Sequence, residues 1–196
     1  MGWALRCGGA EAQSARMKFL PTAIAGAFVV EADPQEDERG MFARTFCAKL
    51  FADQGLPSHY PQSSISVNHK RGTLRGLHYQ MAPQAEAKLV RVTRGRVFDV
   101  AVDLRADSTT YLQWAAVELI ADQHNAFAIP AGCAHGYLTL EDRCELYYHL
   151  SSEYVPDLAG GVRWDDPLFS IQWPFAPAVI GARDAAYPYY SQEIGL

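Results

Sequence analysis

Residues 71–80, RGTLRGLHYQ, combine two arginines, two glycines, a histidine and a glutamine between strand-like stretches. Glycines beside an arginine and a histidine indicate a backbone that lies against another part of the molecule or against a ligand. His78 can exchange a proton near neutral pH, because the unperturbed pKa of histidine is about 6.5. Arg75 places a cation close to it. The segment therefore predicts the wall of an anion-binding pocket that transfers protons.

A single histidine on a strand is more often a core or surface residue than a base, and the neighbours of His78 weaken that alternative. Side chains alternate along a strand, so Gly76, His78 and Gln80 share one face. A polar face that begins with glycine is more typical of a pocket wall than of a core. A β-bulge at this point would let Arg75 point into the same pocket.

A histidine base needs a carboxylate that orients its ring and fixes its tautomer. Asp166 is the leading candidate, because it follows Trp164 in the stretch VRWDDP, residues 162–167, and a large aromatic side chain excludes water. Asp-Asp-Pro is also ordinary turn sequence. From the residues alone, a catalytic carboxylate and a turn are about equally favoured.

Lys88 and Tyr148 supply a second cation and a second proton donor. A lysine that begins an apolar strand is usually solvated, but Lys88 could instead stabilise an enolate or a phosphate. One of the paired Tyr147 and Tyr148 must face inward, and most inward tyrosines are core residues. With an ordinary pKa of about 10, Tyr148 would suit protonation of a carbanion-like intermediate.

Three further residues have weaker signals. His135 could join His78 in a metal site, but the sequence has no HxH pair and no close His/Glu spacing near His78. Arg39 and Phe42, in DERGMF at 37–42, could contact an anion and an aromatic group. An exposed turn explains them equally well.

Composition excludes several classes of protein. The 196 residues carry a formal charge of −5, so an anionic ligand must meet a local cluster of Arg and Lys rather than a basic surface that coats nucleic acid. The four cysteines lack CxxC and zinc spacing, which favours reduced thiols in the cytoplasm. The sequence contains no run of 18 apolar residues, so it predicts no membrane span. Residues 1–16 are expected to be a disordered extension, and 17–196 a single domain.

The elements that must position these residues are mostly strands. Apolar or alternating stretches predict strands at 27–31, 88–93, 96–104, 115–120, 126–129, 137–140 and 144–150. Helix is expected only at 46–54 and in a short piece from Asp184 until Pro188. Many short strands with Gly and Pro turns predict an all-β antiparallel sandwich or barrel.

Several motifs in one order resemble the dTDP-4-dehydrorhamnose 3,5-epimerase family. They are DERG at 37–40, LRGLHYQ at 74–80, KLV at 88–90, FDVAVDLR at 98–105, the stretch from Ile129-Pro130 to Ala134-His135-Gly136, WDDP at 164–167 and IQWP at 171–174. No single motif decides the resemblance, but so many in the same order are specific. The similarity extends roughly from residue 19 to 174.

The resemblance implies a cupin-like double-stranded β-helix (jelly roll) with short peripheral helices, usually a homodimer, that acts on a dTDP-linked 4-keto-6-deoxy sugar without metal or organic cofactor. The implied reaction inverts C3, C5 or both. The implied catalytic residues are the base His78, its partner Asp166, the acid Tyr148 and the cation Lys88. The implied substrate-binding residues are Arg39, Phe42, Gln62, Arg75 and His135.

The chain also departs from the family pattern. Ser64 stands where the family usually has Asn, and Glu86 where a Gln commonly precedes the lysine by two residues. Cys133 replaces a Phe. These changes leave open which carbons are epimerised. A metal-dependent cupin enzyme and a non-catalytic sugar-nucleotide-binding module remain as alternatives.

Overall fold

The computed structural model of the chain describes residues 17–191, so the expected disordered extension at 1–16 lies outside the described residues. The strands are β1 (Lys18–Pro21), β2 (Phe28–Glu31), β3 (Gln35–Asp37), β4 (Gly40–Phe42), β5 (Gln62–Asn68), β6 (Thr73–Gln80), β7 (Lys88–Arg94), β8 (Arg96–Asp103), β9 (Trp114–Ile120), β10 (Ala126–Ile129), β11 (Cys133–Thr139), β12 (Cys144–Leu150), β13 (Ala159–Gly161) and β14 (Val179–Ile180). The α-helices are α1 (Ala48–Asp53) and α2 (Ala182–Ala185).

The strands form two large sheets and one separate hairpin. The first sheet has the order β1-β2-β10-β7-β12-β5, and the second has the order β13-β6-β11-β8-β9, with β14 added parallel to β6. The hairpin consists of β3 and β4. Val90 and Phe127 of the first sheet pack in one buried cluster with Val97 and Leu119 of the second. Two antiparallel sheets that share a core confirm the all-β prediction.

Strand β8 is buried on both faces, which explains its unusually apolar sequence. Val97 and Ala101 lie in the core between the sheets, while Val100 and Val102 pack in a second cluster with Phe169. The chain that follows β13 therefore covers the outer face of the second sheet. A strand covered on both sides is expected to read as a nearly continuous apolar run.

The two short helices lie close to their predicted positions. Helix α1 falls within the predicted 46–54, and the chain turns at Gly55, whose φ of 72° favours glycine. Helix α2 begins two residues before the predicted start and ends at Ala185, before Pro188. Because β14 pairs with Thr73 and Leu74 of β6, α2 follows directly beside the middle of β6.

The backbones of β6 and β11 approach closely at Gly76, as the glycines of 71–80 predicted. A Cβ added to Gly76 would lie 2.5 Å from Gly136 Cα and 2.8 Å from the carbonyl oxygen of His135. The register places His135 opposite His78 but Tyr137 opposite Arg75, so β6 contains one extra residue there. The β-bulge considered from the sequence is therefore observed, and Arg75 and His78 line the same cavity.

Candidate active site

One cavity of about 240 Å³ lies between the sheets and brings together five of the nine predicted site residues. Those five are Arg75, His78, Lys88, His135 and Tyr148. Arg75 and His78 lie on β6 and His135 lies on β11, and both strands belong to the second sheet. Lys88 lies on β7 and Tyr148 lies on β12, and both strands belong to the first sheet. His78 and Tyr148 therefore enter the cavity from different sheets.

His78 is paired with Asp184 of α2. The ring nitrogen Nε2 of His78 lies 2.8 Å from Oδ1 of Asp184, and the backbone N–H of Gly76 donates to Oδ2 at 3.0 Å. Burial by itself raises the pKa of Asp184, but the hydrogen bonds from His78 and Gly76 outweigh it and lower that pKa below its ordinary value. Asp184 thus stays ionised and orients the imidazole.

The prediction that Asp166 partners His78 is wrong in this structure. Asp166 is 4% exposed, and its carboxylate accepts hydrogen bonds from the backbone N–H groups of Leu168 and Tyr190. Its oxygens are thus used to fix the turn at 166–170 and the returning chain near 190. The turn alternative for Asp-Asp-Pro describes this residue correctly.

A second histidine–carboxylate pair lies beside the first. His135 Nε2 is 2.9 Å from Oδ1 of Asp99, which is fully buried on β8. Burial raises the pKa of Asp99, while the charge and hydrogen bond of His135 oppose that rise. Oδ2 of Asp99 has no hydrogen-bond partner among the described residues. His135 occupies the pocket position that the resemblance implied.

Lys88 is buried rather than solvated, so the usual alternative for a lysine at a strand start does not hold. Its ammonium group forms a short salt bridge with Glu86, and both side chains line the cavity. A buried cation of this kind requires a nearby anion, since desolvation would otherwise be too costly. The pair places one positive and one negative group in the same part of the wall.

Tyr148 belongs to a group of polar side chains on β5, β11 and β12. Burial raises the pKa of Tyr148, and a hydrogen bond from Ser66 and the charge of Arg75 partly oppose that rise. Ser66 Oγ also lies 2.7 Å from the hydroxyl of Tyr137, whose pKa burial raises to about 12. Both phenols therefore remain protonated at neutral pH. Tyr148 can act as a proton donor to a group in the cavity.

The structure leaves Arg39, Phe42 and Gln62 out of the cavity wall. Arg39 forms a salt bridge with Asp37 on the β3–β4 hairpin, and Phe42 is 72% exposed there. Gln62 accepts a hydrogen bond from the backbone N–H of Tyr154, a residue of the cavity rim. Gln62 is thus adjacent to the cavity, while the hairpin residues are exposed on this chain.

Several residues of the site were not predicted from the sequence. Arg183 and Tyr187 flank Asp184, and both line the cavity together with Tyr154. A signal for Asp184 existed in the predicted helical piece that begins there, but nothing in the sequence connects that piece with His78. Arg75, Lys88 and Arg183 form the local cationic cluster that an anionic ligand requires in a chain of net charge −5.

Within residues 17–191 no group of three or more His, Cys, Asp or Glu side chains is arranged to hold a metal ion. The two cavity histidines each bind their own carboxylate. No helix of this part of the chain is both long and apolar enough to cross a membrane.

The chain is similar in sequence to the members of one known protein family. Residues 21–192 match the family model of dTDP-4-dehydrorhamnose 3,5-epimerase. The enzyme of that name from Methanothermobacter thermautotrophicus is 43% identical over 160 residues, which are 82% of this chain and 85% of the relative.

Two solved structures are similar in fold as well as sequence. The dTDP-4-dehydrorhamnose 3,5-epimerase of Bacillus anthracis, with TDP and PPi bound, has a TM-score of 0.86 and 34% identity, and the match covers 89% of this chain and 100% of that one. The Legionella pneumophila dTDP-6-deoxy-D-glucose-3,5-epimerase, in complex with dTDP-4-keto-L-rhamnose, has a TM-score of 0.83 and 35% identity, over 89% and 93% of the two chains. The predicted cupin-like jelly roll is thereby confirmed.

Proposed function

The chain belongs to the dTDP-4-dehydrorhamnose 3,5-epimerase family, and we propose that it inverts C3, C5 or both of a dTDP-linked 4-keto-6-deoxyhexose in deoxysugar biosynthesis. The observation that carries this proposal is that an oriented His78 and the phenol of Tyr148 enter the same cavity from different sheets. Inversion of a carbon requires a base on one face of the ring and an acid on the other.

The first step is removal of a proton from the carbon next to the ketone. Asp184 holds Nε2 of His78, so Nδ1 is the ring nitrogen available to take this proton. The C–H electron pair forms a double bond between that carbon and C4, and the π electrons of the C4 carbonyl move onto its oxygen, which gives the enolate. The ionised Asp184 then stabilises the imidazolium that results.

Lys88 stabilises the enolate. Its ammonium group lies in the wall of the cavity, shielded from bulk water, where one well-placed donor stabilises a developing oxyanion by about 3–4 kcal/mol. Glu86 reduces the net charge at this point but keeps the ammonium group in place.

The second step returns a proton to the opposite face of the same carbon. Tyr148 donates its hydroxyl proton, and the enolate collapses to the ketone with inverted configuration. The phenolate regains a proton from solvent, and His78 releases the one it took. Ser66 supports this step, because its hydrogen bond stabilises the phenolate form.

The diphosphate is proposed to bind Arg75, with Arg39 and Phe42 as further contacts on the nucleotide side. Arg75 lines the cavity, and its Nε donates to Oδ1 of Asn68 at 2.9 Å, which fixes the guanidinium in place. Arg39 and Phe42 are exposed on the β3–β4 hairpin, so their contribution requires that they meet a ligand outside this chain's own cavity wall. Gln62 supports the rim through Tyr154.

We also propose a homodimer that functions in the cytoplasm, apart from membranes and nucleic acid. Strand β5 ends the first sheet, and its Ile65 and Val67 are exposed, as are Met41 and Phe42 of the hairpin. Apolar side chains on an edge strand favour pairing with another chain. Light scattering of the purified protein tests this, and a monomer at micromolar concentration contradicts it.

The activity is tested by incubating the protein with dTDP-4-keto-6-deoxyglucose in D2O and following C3 and C5 by NMR. We expect deuterium at one or both carbons, and loss of this exchange in His78→Ala. A non-catalytic binding module would bind the nucleotide sugar without exchange. A metal-dependent enzyme would lose exchange when treated with a chelator and regain it with added metal.

A further inference from the structure

In the proposed epimerisation steps Glu86 only holds the Lys88 ammonium group in place, which does not explain why this residue is a carboxylate. It stands where the resembled family commonly has a glutamine, so this chain places a negative charge where an amide is usual. Its carboxylate forms a salt bridge with Lys88, and its side chain is almost as buried as that of the lysine. A carboxylate in such a setting is most favourable when both of its oxygens find donors.

Only one of the two oxygens of Glu86 has a donor. Oε1 contacts the Lys88 ammonium group, whereas Oε2 is shielded from solvent and has no hydrogen-bond partner among the described residues. An ionised oxygen without a donor is strongly unfavourable, more so than a neutral one. Glu86 forms part of the cavity wall, and the terminal torsion of a glutamate side chain is soft, so a small rotation brings this oxygen to a bound ligand that supplies the missing donor.

The chemistry of the ligand limits what that donor can be. In a 4-keto-6-deoxyhexose the ketone has two ring neighbours: C3 carries a hydroxyl, and C5 carries a methyl group that cannot donate. In the proposed mechanism Lys88 contacts the C4 oxygen, and Glu86 forms a salt bridge with Lys88. A sugar group that reaches the Glu86 carboxylate is therefore next to the ketone.

We propose that Glu86 is a specificity-determining residue whose carboxylate accepts a hydrogen bond from the C3 hydroxyl, next to the ketone of the sugar. The inference rests on the proposed function, since it takes the position of the ketone from Lys88. It makes the enzyme selective for sugars that keep this hydroxyl. A site with a buried acceptor rejects an analogue without the donor far more strongly than an apolar site does.

The test compares dTDP-4-keto-6-deoxyglucose with its 3-deoxy analogue. It measures kcat/KM for deuterium exchange at the two carbons next to the ketone, which carry exchangeable hydrogens in both sugars. The natural protein is expected to prefer the 3-hydroxy sugar about 10- to 100-fold, as for one hydrogen bond to a charged group. Glu86→Gln retains only a neutral acceptor, so the preference should fall to about 3- to 10-fold. Glu86→Met has no oxygen acceptor and should show a ratio near one.

The ratio between the two sugars separates a hydrogen bond to C3 from a structural role. Loss of the partner of Lys88 slows both sugars alike and cancels in the ratio. Glu31→Gln, a matched loss of charge on β2 outside the cavity wall, should keep the full preference. Equal treatment of both sugars by the natural protein, or an unchanged preference in Glu86→Met, would overturn the role of Glu86. Absence of exchange at both carbons next to the ketone with either sugar would instead contradict the proposed epimerase activity.

Discussion

Replacing Asp184 by asparagine tests how His78 is made into a base. The amide has nearly the shape of the carboxylate, so the cavity keeps its form. Its oxygen must continue to accept from the buried N–H of Gly76, which lies 3.0 Å from the carboxylate. The amide NH2 group then faces Nε2 of His78, where an oxygen lies 2.8 Å away in the natural protein.

This rearrangement reverses the tautomer of the imidazole. Nε2 must accept a hydrogen bond from the amide, so the ring proton moves to Nδ1, the nitrogen that takes the substrate proton. The same carboxylate-to-amide change beside the histidine of a serine protease lowers turnover about 10⁴-fold. Because His78 acts here without a serine to activate, we expect a loss of about 10²- to 10⁴-fold, or about 3–5 kcal/mol in the activation free energy.

The assay is deuterium exchange at C3 and C5, with Asp166→Asn as the matched control. Asp166 accepts hydrogen bonds only from backbone N–H groups of the turn and of the returning chain near residue 190. Its amide variant should therefore lose about 1–3 kcal/mol of stability while the folded protein keeps exchange within a few-fold. If Asp184→Asn retained natural rates while Asp166→Asn lost them, the role of Asp184 in setting the tautomer of His78 would be refuted.

Four further predictions follow from single contacts. In Tyr148→Phe, His78 can still remove and return a proton on one face, so NMR should show deuterium exchange while inverted product falls about 10²-fold or more. Lys88→Met should lower kcat for exchange about 10²- to 10³-fold with a smaller change in KM. Gly76→Ala should lower the free energy of unfolding in urea by about 2–4 kcal/mol, because its Cβ would lie 2.5 Å from Gly136 Cα, whereas Gly181→Ala, which meets nothing within 4 Å, should stay within about 1 kcal/mol. The lowered pKa of Asp184 contributes stability above the unfolded value of about 3.9 that is lost as pH falls through the folded value, so urea titrations below pH 4 should show a smaller acid loss in Asp184→Asn than in the natural protein. The role assigned to Asp184 would be contradicted by an equal acid loss in the variant, and that of Gly76 by unchanged stability of Gly76→Ala. The roles assigned to Lys88 and Tyr148 would be contradicted by full exchange in Lys88→Met and by normal inversion in Tyr148→Phe.

The local features of the site were readable from the sequence because they break the usual pattern of a strand. Arg75 and His78 stand beside glycines, and both line the cavity, as expected. Gly76 was predicted to mark a close approach, and it does, against β11. The apolar stretches that became β7, β8 and β12 were also recognisable, since their periodicity is set by local geometry.

The choice between Asp166 and Asp184 could not be made in the same way. Both follow an arginine closely and both precede a proline within four residues, so their local sequences are nearly equivalent. Their roles are decided by β14, which pairs with Thr73 and Leu74 and brings α2 to the backbone of Gly76. A strand of two residues has no sequence pattern that would indicate a partner strand more than 100 residues away.

Glu86 shows the same limit in another form. The sequence revealed that it departs from the resembled family, but only the structure shows its carboxylate against Lys88 with one oxygen left without a donor. The exposed hairpin with Arg39 and Phe42 was predicted to contact the ligand, and that remains a prediction because the cavity wall of this chain does not include it.

The proposed mechanism depends on His78 and Tyr148 acting on opposite faces of one ring. Its most direct test is NMR of dTDP-4-keto-6-deoxyglucose incubated in D2O with Tyr148→Phe and with the natural protein, with the configuration and deuterium content of C3 and C5 assigned in each. We predict deuterium with inversion for the natural protein and deuterium with retained configuration for the variant. Inversion at an undiminished rate in Tyr148→Phe, or no deuterium in the natural product, would contradict the mechanism.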